Sequence, residues 1–126
     1  MTHLHRTIHL EVVIMITYNN LAKLFSFDLQ NQSCIEIHFL LKSNPKYQSC
    51  WMGKMPHESD RNKEVYWYGL VADGSEAYDY DNFEYFSSAP VFEGKTLKDV
   101  CDQIELISID GCDPVERINS YLSKAQ

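Results

Sequence analysis

Ile35, Ile37, Phe39 and Leu41 alternate with Glu36, His38 and Lys42, with Leu40 the one apolar residue on the second side. Successive side chains of a strand point to opposite faces, so Cys34–Lys42 reads as a strand with one apolar and one polar face. Such a strand belongs to a sheet covered on one side only, the usual situation of antiparallel sheets.

The residues on either side extend that sheet. Ser43-Asn44-Pro45-Lys46 has turn composition, and Tyr47–Met55, carrying Trp51 and Met52, reads as the return strand of a hairpin. Pro56–Lys63 is a polar loop, after which Val65, Tyr66, Trp67 and Tyr68 mark a strand over Glu64–Val71. Ala72-Asp73-Gly74-Ser75 contains the Asp-Gly pair that suits a tight hairpin turn, so Glu76–Asp81 is expected to fold back on the preceding strand. The result is a meander.

Helical signals gather toward the carboxyl end. Asn82–Ser88 reads as one helical turn that Pro90 terminates. Thr96-Leu97-Lys98-Asp99 has the form of a capping box with Asp in the Glu position, and Leu97, Val100, Cys101 and Ile104 repeat at helical spacing. Leu106–Ile109 is expected to be a short strand closed by Asp110-Gly111. Asp113, Pro114 and Glu116 then order a cap, a first-turn proline and an N3 carboxylate, with Val115, Ile118 and Leu122 as the apolar stripe of a final helix. The pattern predicts an α+β fold, an antiparallel meander sheet of about four to six strands with two C-terminal helices packed on one face.

At the amino end, Ile8–Thr17 has the β-branched content of a strand and Asn19–Phe27 reads as a short helix or turn. Two readings stand for residues 1–14, a leading strand of the fold or an extension upstream of a second start at Met15. The apolar run Leu10–Ile16 includes Glu11 and is too short for a membrane span or a signal segment. A chain of 126 residues with 44% apolar and 23% charged residues fits one soluble domain over residues 1–126.

Charge carries the functional reading. Between Glu64 and Gly94 there is no Lys or Arg, while seven carboxylates (Glu64, Asp73, Glu76, Asp79, Asp81, Glu84 and Glu93) are interleaved with nine aromatic residues. Those seven match the net charge of −7 of the whole chain, so the remainder is balanced. With eleven scattered Lys and Arg and a pI near 5.1, nucleic acid is excluded as a direct ligand, because phosphate binding draws on clustered cations. An uncompensated acidic and aromatic segment calls instead for a basic protein surface, with Tyr78, Asp79, Tyr80, Asp81, Glu84 and Tyr85 as the contact residues. The simpler account is an amphipathic hairpin, in which Tyr78-Asp79-Tyr80-Asp81 places its rings on one face and its carboxylates on the other.

Motifs for chemistry are weak. Ala89–Thr96 has the spacing of a phosphate-binding loop, but Pro90, Phe92 and Glu93 stand where backbone N–H groups and glycines are needed. His3, His5 and His9 share strand parity without a carboxylate or cysteine at ligand spacing, and an EF-hand loop from Asp79 fails at Phe83 and Glu84. Neither a metal nor a cofactor is expected. Cys34, Cys50, Cys101 and Cys112 lack CxxC spacing and read as small buried apolar residues of a reducing, cytoplasmic setting. Cys112 lies ahead of a helix start, but Asp110 and Asp113 flank it and oppose thiolate formation. Glu36 and His38 share a strand face and support the alternative of a small enzyme or ligand-binding pocket around them. A third possibility is a homo-oligomer joined through the aromatic hairpin. The catalytic role stays unassigned, and the expectation is a non-enzymatic protein-binding or inhibitor-type module, without membrane association.

Overall fold

Strands β1 (Ile35–Leu41), β2 (Cys50–Pro56), β3 (Glu64–Gly69), β4 (Ala77–Tyr80) and β5 (Ile104–Ile109) build one sheet in the computed structural model, which describes residues 13–27 and 34–123. All pairings are antiparallel in the order β4-β3-β2-β1-β5. The first four strands are the expected meander. β5 then returns across the molecule to pair with β1, which leaves β4 as an edge strand. Helices α1 (Tyr18–Ser26), α2 (Phe83–Ser88), α3 (Leu97–Val100) and α4 (Pro114–Ser123) complete the α+β architecture. Among the described residues no helix is long and apolar enough to cross a membrane.

The alternation in the sequence becomes two different faces. Ile35, Ile37, Phe39 and Leu41 of β1, Cys50 and Met52 of β2 and Tyr66 and Tyr68 of β3 are buried in one core cluster. That cluster also takes Leu21, Leu24 and Phe25 of α1, Phe86 of α2, Leu97 and Val100 of α3 and Tyr121 of α4. The opposite face of the sheet carries Glu36 and His38, Trp51, Trp67 and Asp79, none of which belongs to the core.

Local signals hold where they involve caps. The Thr96 hydroxyl receives the Asp99 N–H while the Asp99 carboxylate receives the Thr96 N–H, the reciprocal box read from the sequence. The Asn82 side chain accepts the Tyr85 N–H and starts α2. At Glu93-Gly94 and at Asp110-Gly111 both residues have positive φ and the flanking residues exchange backbone hydrogen bonds, so each pair is the centre of a two-residue hairpin turn. Glu93-Gly94 is thus a turn and not a phosphate cradle.

Several boundaries differ from the sequence expectation. The Asp-Gly turn between β3 and β4 is not a two-residue connection but a loop over residues 70–76. Asp73 accepts both the N–H and the hydroxyl of Ser75, and Leu70 turns inward to full burial, so the ladder ends early. Ile104 opens β5 instead of closing a long α3, because the chain tightens into a 3₁₀ turn over Cys101–Gln103. In α4 the buried side runs through Pro114 and Tyr121, with Ile118 packed against the core, while Val115 is 44% exposed. Cys34 and Cys112 are exposed and only Cys50 and Cys101 are buried, which corrects the reading of all four as interior. Residues 13–17 are not a strand, although the Leu106 N–H donates to the Ile14 carbonyl. The remainder of the expected strand from Ile8, and His3, His5 and His9, lie outside the described residues.

Candidate functional site

The acidic segment wraps around the β4 edge of the sheet. β4 pairs with β3 through Tyr66 with Tyr80, Trp67 with Asp79 and Tyr68 with Tyr78. Strand parity therefore sends Tyr78 and Tyr80 to the core side, where both pack partly buried, and sends Asp79 to the open face beside Trp67. Tyr80 stands edge-on to Tyr68 and Phe86, and burial raises its phenol pKa above the ordinary value. It remains a neutral hydrogen-bond donor at physiological pH.

Asp81, Glu84 and Tyr85 occupy the corner where β4 runs into α2. All three are exposed, and Tyr85 reaches 60%. Phe86, one residue on, is fully buried and stacks on Tyr68 at 4.1 Å, so the helix alternates sharply between outward and inward side chains. The structure thus divides the six expected contact residues. Asp79 is on one side of the edge strand, Tyr78 and Tyr80 are on the other, and Asp81, Glu84 and Tyr85 cap the end.

The charge balance of the segment changes on folding. Lys46, from the β1–β2 turn, pairs with Glu76, and Lys54 of β2 pairs with Glu64 at 2.9 Å. Asn44 donates to Glu93, and Asp73 is held by Ser75. Two of the seven carboxylates are therefore met by lysines folded in from elsewhere, a correction to the charge count taken from the segment alone. Among the described residues Asp79, Asp81 and Glu84 have neither an ion pair nor a side-chain hydrogen bond.

Two clefts adjoin this rim. One, of about 480 Å³, lies between Tyr78 and Tyr80 on one wall and Val91 and Glu93 on the other, with the Lys46–Glu76 pair at its mouth. Tyr47 donates to Glu76 at 3.0 Å at its base, and burial, reinforced by that carboxylate, pushes the phenol up to about 12. The second, of about 570 Å³, is bounded by Asp81 and Asn82 on one side and by Glu64 and the polar loop from His57 on the other.

Glu36 and His38 do share the outward face of β1, as the alternation implies. His38 lies flat on Trp51 at 4.1 Å and bonds the Ser49 hydroxyl at 2.8 Å, while Glu36 is exposed. Neither lines the clefts described above. Among the described residues no group of three His, Cys, Asp or Glu side chains is placed to hold a metal ion.

The sequence reading missed Lys54. On an inward position of β2 and 2% exposed, it donates to the carbonyls of Phe25 and Phe27 at 2.9 Å each and contacts Glu64. Glu64 Oε2 lies 2.9 Å from the ammonium as an ion pair and has no aligned hydrogen bond. Also missed was Asp110, which accepts from the Glu36 N–H, Arg117 and the Tyr121 hydroxyl and so ties β1 to α4. The parity of Lys54 with Met52 was the available signal for the first; for the second nothing local to Asp110 gives its partners. Compared with protein-family models, with curated proteins and with solved structures, the chain matches none.

Proposed function

We propose that this chain is a non-enzymatic protein-binding or inhibitor-type module that meets a basic partner at the β4–α2 rim. The observation that carries the reading is the exposed trio Asp79, Asp81 and Glu84, without a cationic partner among the described residues and beside the exposed ring of Tyr85. Carboxylates grouped in this way add their fields and steer cations toward the edge, while a tyrosine supplies apolar contact and a hydrogen bond at little entropic cost. Tyr78 and Tyr80 support the same rim from the core side, where the cleft beside them offers room for a long cationic side chain. The absence of a direct nucleic-acid ligand follows from the same sign of charge. A reducing, cytoplasmic setting suits the four free cysteines.

The test is retention of basic proteins from source lysate on the immobilised chain, compared with the variant Asp79→Asn, Asp81→Asn, Glu84→Gln. A specific basic species held by the parent, released by moderate salt and lost from the variant supports the proposal. Equal retention by both forms overturns it.

A further inference from the structure

Both tryptophans of the chain, Trp51 and Trp67, stand on the outward face of the sheet. Neither belongs to the core cluster. Trp67 lies across Gly53, where an added Cβ would come within 2.7 Å of its ring, and Trp51 is stacked on His38. Met55 and Ile107, the latter at the irregular step of the β1–β5 ladder, extend this apolar area at 44% and 42% exposure. Both indoles are half-buried against their neighbours, and the area they share with Met55 and Ile107 is partly open to water; an apolar sheet area that keeps such exposure is a common mark of an interaction site.

The rim of the face specifies what would cover it. Asp79 sits opposite Trp67, Glu36 opposite Gly53 and Glu105 opposite Leu40. Within the strands none of the outward residues is Lys or Arg, and exposed Lys42, one residue past the end of β1 on the same parity, is a single cation beside these three carboxylates. A second copy of the chain would bring these carboxylates against their own kind, and an anionic lipid or a nucleic acid would be repelled. A cationic protein segment is the complement.

We propose that the outward sheet face docks a basic amphipathic segment of a partner protein, its apolar stripe on Trp51 and Trp67 and its flanking Lys or Arg side chains reaching Asp79, Glu36 and Glu105. This deepens the reading above and rests on it for the sign of the partner; through Asp79, opposite Trp67, it extends the contact from the β4–α2 corner onto the sheet. Because the face holds both indoles, tryptophan emission reports its coverage directly.

The probe is a designed helical peptide with a leucine stripe flanked by lysines, titrated into the full chain, with a counterpart in which every lysine is glutamate. The lysine peptide is expected to blue-shift the emission and to shield it from acrylamide quenching, and the glutamate peptide to do neither. The variant Glu36→Gln, Asp79→Asn, Glu105→Gln should weaken binding by roughly tenfold with its thermal midpoint unchanged, whereas Asp102→Asn, Glu116→Gln, at exposed positions outside both the sheet face and the corner, should leave it within about twofold. Loss of binding in Asp81→Asn, Glu84→Gln but not in Glu36→Gln, Glu105→Gln, with the emission of the parent unmoved by the lysine peptide, overturns the sheet-face site and leaves the corner reading standing. Equal response to both peptides, or no response to either, overturns the sheet-face proposal. Sedimentation of the chain alone as a dimer with blue-shifted emission assigns the face to a second copy, which also overturns it.

Discussion

Gly53 shows how one residue sets the character of a whole face. In the interior of a strand glycine normally weakens the ladder, and it persists where another group must come close. Here the Trp67 indole lies over it and a Cβ would run into the Ile35 carbonyl oxygen. The indole can swing away but the backbone oxygen cannot. Gly53→Ala is therefore expected to cost about 3 kcal/mol, read as a lower urea midpoint, and to red-shift the emission of the displaced Trp67. An unchanged midpoint would show that the strand relaxes around the methyl group. Asp110 works the other way, by making contacts. At positive φ beside Gly111, it gathers the Glu36 N–H, Arg117 and Tyr121, and the Tyr121 phenol is pushed up to about 12 by burial and then by that carboxylate. The Asp-Gly pair was legible as a turn, since that dipeptide suits positive φ. Its side-chain partners were not, because they come from positions distant in the chain.

At the scale of elements, α1 is joined to the sheet by Lys54. The carbonyls of Phe25 and Phe27 at the end of this helix lack helical partners, and the ammonium of Lys54 supplies two donors to them while facing Glu64. Lys54→Met preserves the packing of the stem but leaves two carbonyls and a carboxylate without the cation. It is expected to lower stability by about 2–3 kcal/mol and to speed amide hydrogen exchange in α1 ahead of β2 and β3. Adding Glu64→Leu should restore part of the loss; if the double variant is less stable than the single one, the ion pair is not the reason. The firmest elements in the sequence were those with a strict period, β1 above all, or with a capping box, α3, whereas the Asn82 cap of α2 came only from the structure. The α4 stripe was misjudged because Val115 fits a helical period as well as Pro114 does, and only packing against Phe27 selects the Tyr121 side.

For the whole molecule, buried hydroxyl and thiol groups set a response to alkali. Burial, followed by the Glu76 carboxylate, raises Tyr47 and Cys50 to about 12, burial followed by Asp110 does the same for Tyr121, and burial raises Tyr68 further. A folded-state pKa above the unfolded one means that the fold favours the protonated form. The associated stability is complete below the model-compound values of 9.0 for the thiol and 10.0 for the phenols, and is lost as pH rises through the folded values near 12. Denaturant midpoints should be flat through neutral pH and fall above about pH 9 to 10, with the last phenolates appearing as the circular dichroism of the sheet disappears. Ionisation of every tyrosine near its ordinary value with the sheet intact would contradict this.

The α+β class, the meander, the cap positions and the surplus of negative charge around β4 were determined by the sequence by itself. Each depends on the spacing of neighbouring residues, and spacing is a local property. Which carboxylates stay without a cation, which face of the sheet keeps both tryptophans and what lies over Gly53 were decided only by the tertiary structure. The reason is that Lys46 and Lys54 reach Glu76 and Glu64 across strand pairings, and Trp67 reaches Gly53 through a register between β2 and β3. Those distances exist only once the sheet has formed.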